Sequence, residues 1–200
     1  MNKYMKILLM LMLTNVANVA MAYTTYDCDS HDVRWSSESR TLYAYAGDFP
    51  SGSTWRSALQ EAVARLNDNA AGFTFNIVYD WTAPALGNGR SEVWIDNITP
   101  PGVTNFWWNG SFNLTEADIR MDSSVTWTTS TSKTTHSSYG GSGRSFQTTL
   151  LHELGHAIGL GHEADEYNIM GQDWDHLHTN GSTARAYFGE DASDGSVFLY

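Results

Sequence analysis

Residues 152–162 read His-Glu-Leu-Gly-His-Ala-Ile-Gly-Leu-Gly-His, and this string restricts the fold more than any other stretch of the chain. The surrounding pattern predicts a helix over 145–160, with Leu150, Leu151, Leu154, Ala157 and Ile158 as its apolar positions. On that helix His152 and His156 are one turn apart and share a face, so both can reach one metal ion. Glu153 stands beside the first of them, close enough to act on a water at the metal without binding the metal itself. Gly159 can take the positive φ that ends a helix and turns the chain, which would bring His162 back as a third ligand. Three imidazoles leave a fourth position open, the pattern of a reactive zinc site and not of a structural one.

That pattern predicts a chemistry. Zinc lowers the pKa of water from 15.7 towards about 7. Glu153 would take the proton as the water attacks a carbonyl, then pass it to the leaving group. The metal also polarises that carbonyl and stabilises the developing oxyanion. The ligand geometry alone implies metal-assisted hydrolysis of some carbonyl compound. A bare His-Glu-x-x-His can arise by chance on an amphipathic helix; Gly159 and His162 at these offsets make the string specific.

Asn168-Ile169-Met170 follows, with Met170 eight residues after His162. The extended string together with this methionine resembles the metzincin clan of zinc peptidases, whose signature adds a methionine turn to the three histidines. Within the clan the chain looks most like the matrixin catalytic domain, in its length, in the strand Glu116–Asp122 before the helix, and in its closing segment from Gly189 to Tyr200. The resemblance implies an α+β fold with a twisted, mostly parallel sheet, two main helices, an active-site helix and a methionine turn. It implies a zinc endopeptidase acting on protein or peptide substrates, with His152, His156 and His162 as ligands, Glu153 as general base and Met170 as an apolar floor. Astacin-like and serralysin-like members carry a tyrosine two residues after the methionine; here that position is Gln172, which agrees with the matrixin-like reading, and Tyr167 is not given that role. Matrixins also hold a structural zinc and calcium ions before the active-site helix. His136 and Asp122 lie in that region, where a solvated loop is the plainer reading, and calcium is carried as an additional candidate.

The first 22 residues are read as a leader: Lys3 and Lys6, an apolar run from Ile7 to Leu13, and the small-x-small site Ala20-Met21-Ala22. Cleavage before Tyr23 predicts a secreted protein of 178 residues with no membrane anchor. It leaves 9 basic against 22 acidic residues, a formal charge of −13 that repels nucleic acid and anionic lipid. A monomer is expected. Residues 23–40 read as a polar N-terminal arm and residues 41–200 as the catalytic domain.

Along that domain a strand is expected at Thr41–Ala46, then a helix capped by Ser53 or Thr54 and stopped by Asn67-Asp68-Asn69 and Gly72. Strands are expected at 73–81, 92–95 and 116–122, with a Pro84, Gly87, Gly89 loop between the first two. A Ser/Thr/Gly-rich loop holding Trp127, His136 and Tyr139 spans 123–143, and a last helix ends at Tyr200. Trp107 and Trp108 could form an exposed patch, though packing under a loop is commoner for such residues. His176 and His178 are candidates for contact with substrate or a second metal, against a plain polar loop.

Cys28 is the single cysteine and can form no internal disulfide. As a thiolate on the N-terminal arm it could occupy the fourth zinc position and hold the enzyme latent, a role Asp27 or Asp29 could share; an unpaired terminal thiol is the plainer reading. Two other readings of the whole chain compete: a non-catalytic zinc-binding module of adhesin or inhibitor type, and a carbohydrate-binding domain using surface Trp and Tyr. The first does not need Glu153, and the second leaves the three histidines without a purpose.

Overall fold

The computed structural model describes residues 23–28, 30–129, 144–163, 169–171, 178–180, 183–185 and 190–200. Its centre is a five-stranded sheet of β1 (Ser39–Tyr45), β2 (Thr74–Asp80), β3 (Glu92–Asp96), β4 (Gly102–Trp108) and β5 (Leu114–Asp122), in the order β2-β1-β3-β5-β4. β1, β2, β3 and β5 run parallel, and only β4 is antiparallel to its neighbour. Among the described residues three helices accompany the sheet: α1 (Thr54–Asn67), α2 (Phe146–Ala157) and α3 (Glu190–Leu199). This is the expected α+β class with a mostly parallel sheet.

The first crossover shows how local sequence sets the architecture. Parallel neighbours need a long connection, and α1 supplies it between β1 and β2. Ser53 caps it by accepting from the Arg56 N–H at 3.1 Å, while Ala58, Leu59, Ala62, Val63 and Leu66 bury one face against the sheet. Its stop signals act as hydrogen-bonding groups. The Asn67 side chain brackets Phe75 in β2, accepting from its N–H at 2.8 Å and donating to its carbonyl at 3.0 Å. Asn69 Nδ2 donates to the Leu66 and Phe73 carbonyls, each at 2.7 Å.

β4 was not among the expected strands. It follows Pro100-Pro101 and reads GVTNFWW, with most positions only half buried and the two tryptophans exposed, so it lacks clear alternation. Edge position explains this, because among the described residues one side of the strand has no neighbour in the sheet. Trp107 lies against Gly87 but stays 36% exposed, and Trp108 is 44% exposed, so neither is packed away under a loop.

The outer face of the sheet carries three buried carboxyl groups, Glu92, Glu116 and Asp118. The loop over them is held by its own backbone. Ala85 N–H donates to Glu92, Gly87 N–H to Asp118, and Asn88 and Gly89 N–H to the two oxygens of Glu116 at 2.8 and 2.7 Å. Burial, and then a hydrogen bond shared with Glu116, raise the Asp118 pKa to about 8.

The residues expected as an N-terminal arm are woven into the domain. Val33 and Trp35 are in the core, Asp27–Cys28 pairs with His31–Asp32, and Thr25 bridges Leu160 antiparallel. This contact decides how α2 ends. Ile158 caps the helix and Gly159, at φ +102°, turns the chain; Leu160 N–H returns to Gly155 O at 3.1 Å and Gly159 N–H to His156 O at 3.0 Å, a Schellman closure. A Cβ on Gly159 would fall on the Val33 carbonyl oxygen.

Gly159→Ala therefore combines a disfavoured φ with a backbone clash, and is expected to cost about 2–4 kcal/mol of stability by urea unfolding; a change under about 1 kcal/mol would show the turn relaxes freely. A second expectation concerns pH. Native Asp118 keeps its proton up to about 8, whereas the unfolded chain releases it near 3.8. The native state thus binds more protons across that window, and stability falls as pH rises through it. Asp118→Asn, uncharged throughout, should show a shallower loss of urea midpoint between pH 5 and pH 8 than the parent; equal slopes would remove Asp118 as the source.

Candidate metal centre

α2 is buried along its whole length, from Phe146 to Ala157. Ser145 caps its start, accepting from Thr148 N–H at 3.2 Å. Because the helix is interior, His152, Glu153 and His156 are held with little exposure, and each polar atom needs a partner. His152 Nδ1 lies 2.6 Å from the Ile169 carbonyl, and His156 Nδ1 lies 2.8 Å from the Leu160 carbonyl. These acceptors place the ring proton on Nδ1 and leave Nε2 as a bare lone pair.

The two Nε2 atoms converge with that of His162. The separations are 3.0 Å for 152–156, 3.1 Å for 156–162 and 3.2 Å for 152–162. Zinc–nitrogen bonds of about 2.0–2.1 Å in a tetrahedron would set such nitrogens about 3.3 Å apart. The donor set therefore fits a zinc ion in size and in chemistry. These three side chains form a group that could hold a metal, His162 on its exposed side. Burial lowers the His162 pKa, which favours the neutral ligand form.

Glu153 points from the same helix towards β4. The Thr104 hydroxyl donates to Glu153 Oε2 at 2.8 Å and also lies 2.9 Å from the Glu153 main-chain carbonyl. A Cβ on Gly102 would stand 2.7 Å from Oε1, so the strand's missing side chain leaves room for the carboxylate. Burial raises the Glu153 pKa to about 7, with the Thr104 hydrogen bond pulling the other way. That value suits a group that must both take and give a proton near neutrality.

Met170 is buried below the helix. A Cβ on Gly155 would collide with its sulfur, so the contact requires glycine there. The methionine turn is tied to the ligand turn through Glu163 N–H donating to Met170 O at 2.8 Å. Asp122, singled out near the structural-metal region, accepts instead from Ser124 N–H and Oγ at 2.9 and 2.6 Å. Cys28 has its backbone in the short ladder with His31, and His178 in a ladder with Arg185; their side chains, together with His136, Tyr167, Asn168, Gln172 and His176, lie outside the described residues.

Two residues at the centre carry no signal in the sequence. Thr104 sits on the strand that lacked alternation. Tyr26, on the N-terminal segment, brings its hydroxyl within 3.3 Å of His156 Nδ1 across 130 positions of chain. Burial, and the charge of Glu153, push the Tyr26 pKa up to about 12.

The sequence profile of the matrixin family matches residues 103–185, from β4 past the methionine turn and under half of the chain. Among curated proteins no relative matches the chain. The match supports a zinc metallopeptidase in general, and it covers the three histidines, Glu153 and Met170. The chain carries a matrixin-like catalytic domain.

Proposed function

We propose that the protein is a secreted zinc endopeptidase in which His152, His156 and His162 hold the metal and Glu153 is the general base. The observation that carries this reading is the convergence of three Nε2 atoms within 3.2 Å of one another beside a buried carboxylate held by Thr104. Zinc, when bound there, supplies Lewis acidity towards a carbonyl and acidifies water.

The remaining work falls to the chain's own groups. The Nδ1 acceptors hold the His152 and His156 rings at fixed orientations. Glu153 takes a proton from the attacking water and delivers it to the leaving amine; Thr104 holds one of its oxygens, so the carboxylate is oriented before substrate arrives. The edge of β4 without a strand partner runs past Glu153, so an extended peptide can add to it as a further strand, main chain to main chain. That mode selects extended polypeptide and supports peptide over other carbonyl substrates.

Members of the family are typically extracellular, in keeping with the leader read at residues 1–22. Among the described residues no helix is long and apolar enough to cross a membrane. A soluble, monomeric enzyme acting outside the cell is the form proposed.

The purified protein should contain about one zinc per chain and cleave casein or gelatin in a chelator-sensitive way. Glu153→Gln should retain the zinc and lose about 10²–10⁴-fold in kcat/KM. His156→Ala should lose the zinc itself. Full zinc with no cleavage by the parent protein, or unchanged cleavage in Glu153→Gln, would sink the enzymatic reading and favour a binding module.

A further inference from the structure

We infer that Tyr26 is a positioning residue of the metal centre and that the N-terminal segment fixes the orientation of His156. This rests on the zinc reading above. Segment 24–26 runs antiparallel to the ligand turn: Tyr26 N–H donates to Gly159 O at 2.9 Å, Gly161 N–H donates to Thr24 O at 2.7 Å, and Thr25 bridges Leu160. A Cβ on Gly161 would stand 3.0 Å from the Thr24 side chain, so the two strands are in close register. His162 follows directly.

That pairing aims the Tyr26 side chain at the centre from behind. Its hydroxyl oxygen lies 3.3 Å from His156 Nδ1, where it shares the ring N–H with the Leu160 carbonyl. Its ring packs on Phe106 of β4 at 4.5 Å and tilts against the His156 ring at 5.5 Å between centroids. His156 is thereby clamped on the face away from the metal, between a phenol and a carbonyl. A second acceptor on Nδ1–H makes Nε2 a stronger donor and removes ring rotation that metal binding would otherwise have to freeze. Nothing in this placement takes Tyr26 to the substrate side; it acts through His156.

Tyr26→Phe keeps the ring against Phe106 and deletes only the hydroxyl. Zinc affinity by competition with a chromogenic chelator should fall about tenfold, with the urea midpoint of the metal-free protein unchanged. The visible absorption bands of the cobalt-substituted protein should shift, because His156 is no longer held at one angle. Tyr26→Ala, which also removes the ring, should weaken zinc further. Parent-like affinity and an unchanged cobalt spectrum in Tyr26→Phe would overturn the inference, as would an affinity loss matched by loss of metal-free stability. If the parent protein takes up no zinc, this inference and the proposed function fall together. If it binds zinc without cleaving protein, only the enzymatic reading falls and the Tyr26 comparison decides the inference alone.

Discussion

A helix buried over its whole length cannot end in water, and the rest of this structure is arranged around that constraint. The last carbonyls of an α-helix have no partner within it, and burying them unpaired costs about 1–3 kcal/mol each. At the end of α2 the local turn closes Gly155 O and His156 O, and the carbonyls that follow are satisfied mostly from far along the chain. Ala157 O accepts from the Trp35 indole at 2.9 Å, Ile158 O from the Tyr200 hydroxyl at 2.7 Å, Gly159 O from Tyr26 N–H and Leu160 O from His156 Nδ1. The last acceptor is the one that fixes the ligand's tautomer. Closing the turn and orienting the His156 ring share that last hydrogen bond.

This explains why both ends of the described chain converge there. Trp35 and Tyr26 approach from the N-terminal side, and Tyr200 follows α3 from the C-terminal side, its hydroxyl also accepting from Trp35 N–H at 3.2 Å. The Tyr200 ring packs tilted against Phe73, which belongs to the apolar core beneath α1. The ligand turn is therefore connected to the sheet by side chains of low exposure with few alternative packings. If the three histidines bind a metal as proposed, rings held this way lose little freedom on binding it.

What the sequence made legible was whatever depends on residues close in the chain. The spacing of His152 and His156, the turn at Gly159 and the return of His162 are local geometry, and so is the cap at Ser53. The strands with buried, alternating or continuous apolar positions were found to within a few residues. β4 was not, because an edge strand beside a cleft has half-exposed positions and no apolar period. Nor was the role of residues 23–35. Tyr26 and Trp35 in a polar stretch resemble any surface aromatics until the fold places them 130 and 122 positions away from their partners. The carboxyl cluster of Glu92, Glu116 and Asp118 escaped for the same reason, since its members come from two strands and are satisfied by the backbone of a third segment.

The extent of the family match follows the same division. Residues 103–185 contain β4, β5, α2 and the methionine turn, which together carry His152, His156, His162, Glu153 and the edge proposed to pair with a peptide. They do not contain β1, β2, β3 or α1, which complete the sheet, nor the groups that close α2 at Ala157, Ile158 and Gly159. A metal centre of the proposed kind restricts residue types: each ligand must offer an atom that zinc accepts, and the floor must fit against the bare helix turn at Gly155. Closing a buried helix restricts only the presence of a donor. A tryptophan N–H, a tyrosine hydroxyl or a main-chain amide serves equally well for a carbonyl. The matched segment holds the three histidines, Glu153 and Met170. The unmatched part holds that segment in place, and its physical requirements can be met by many sequences.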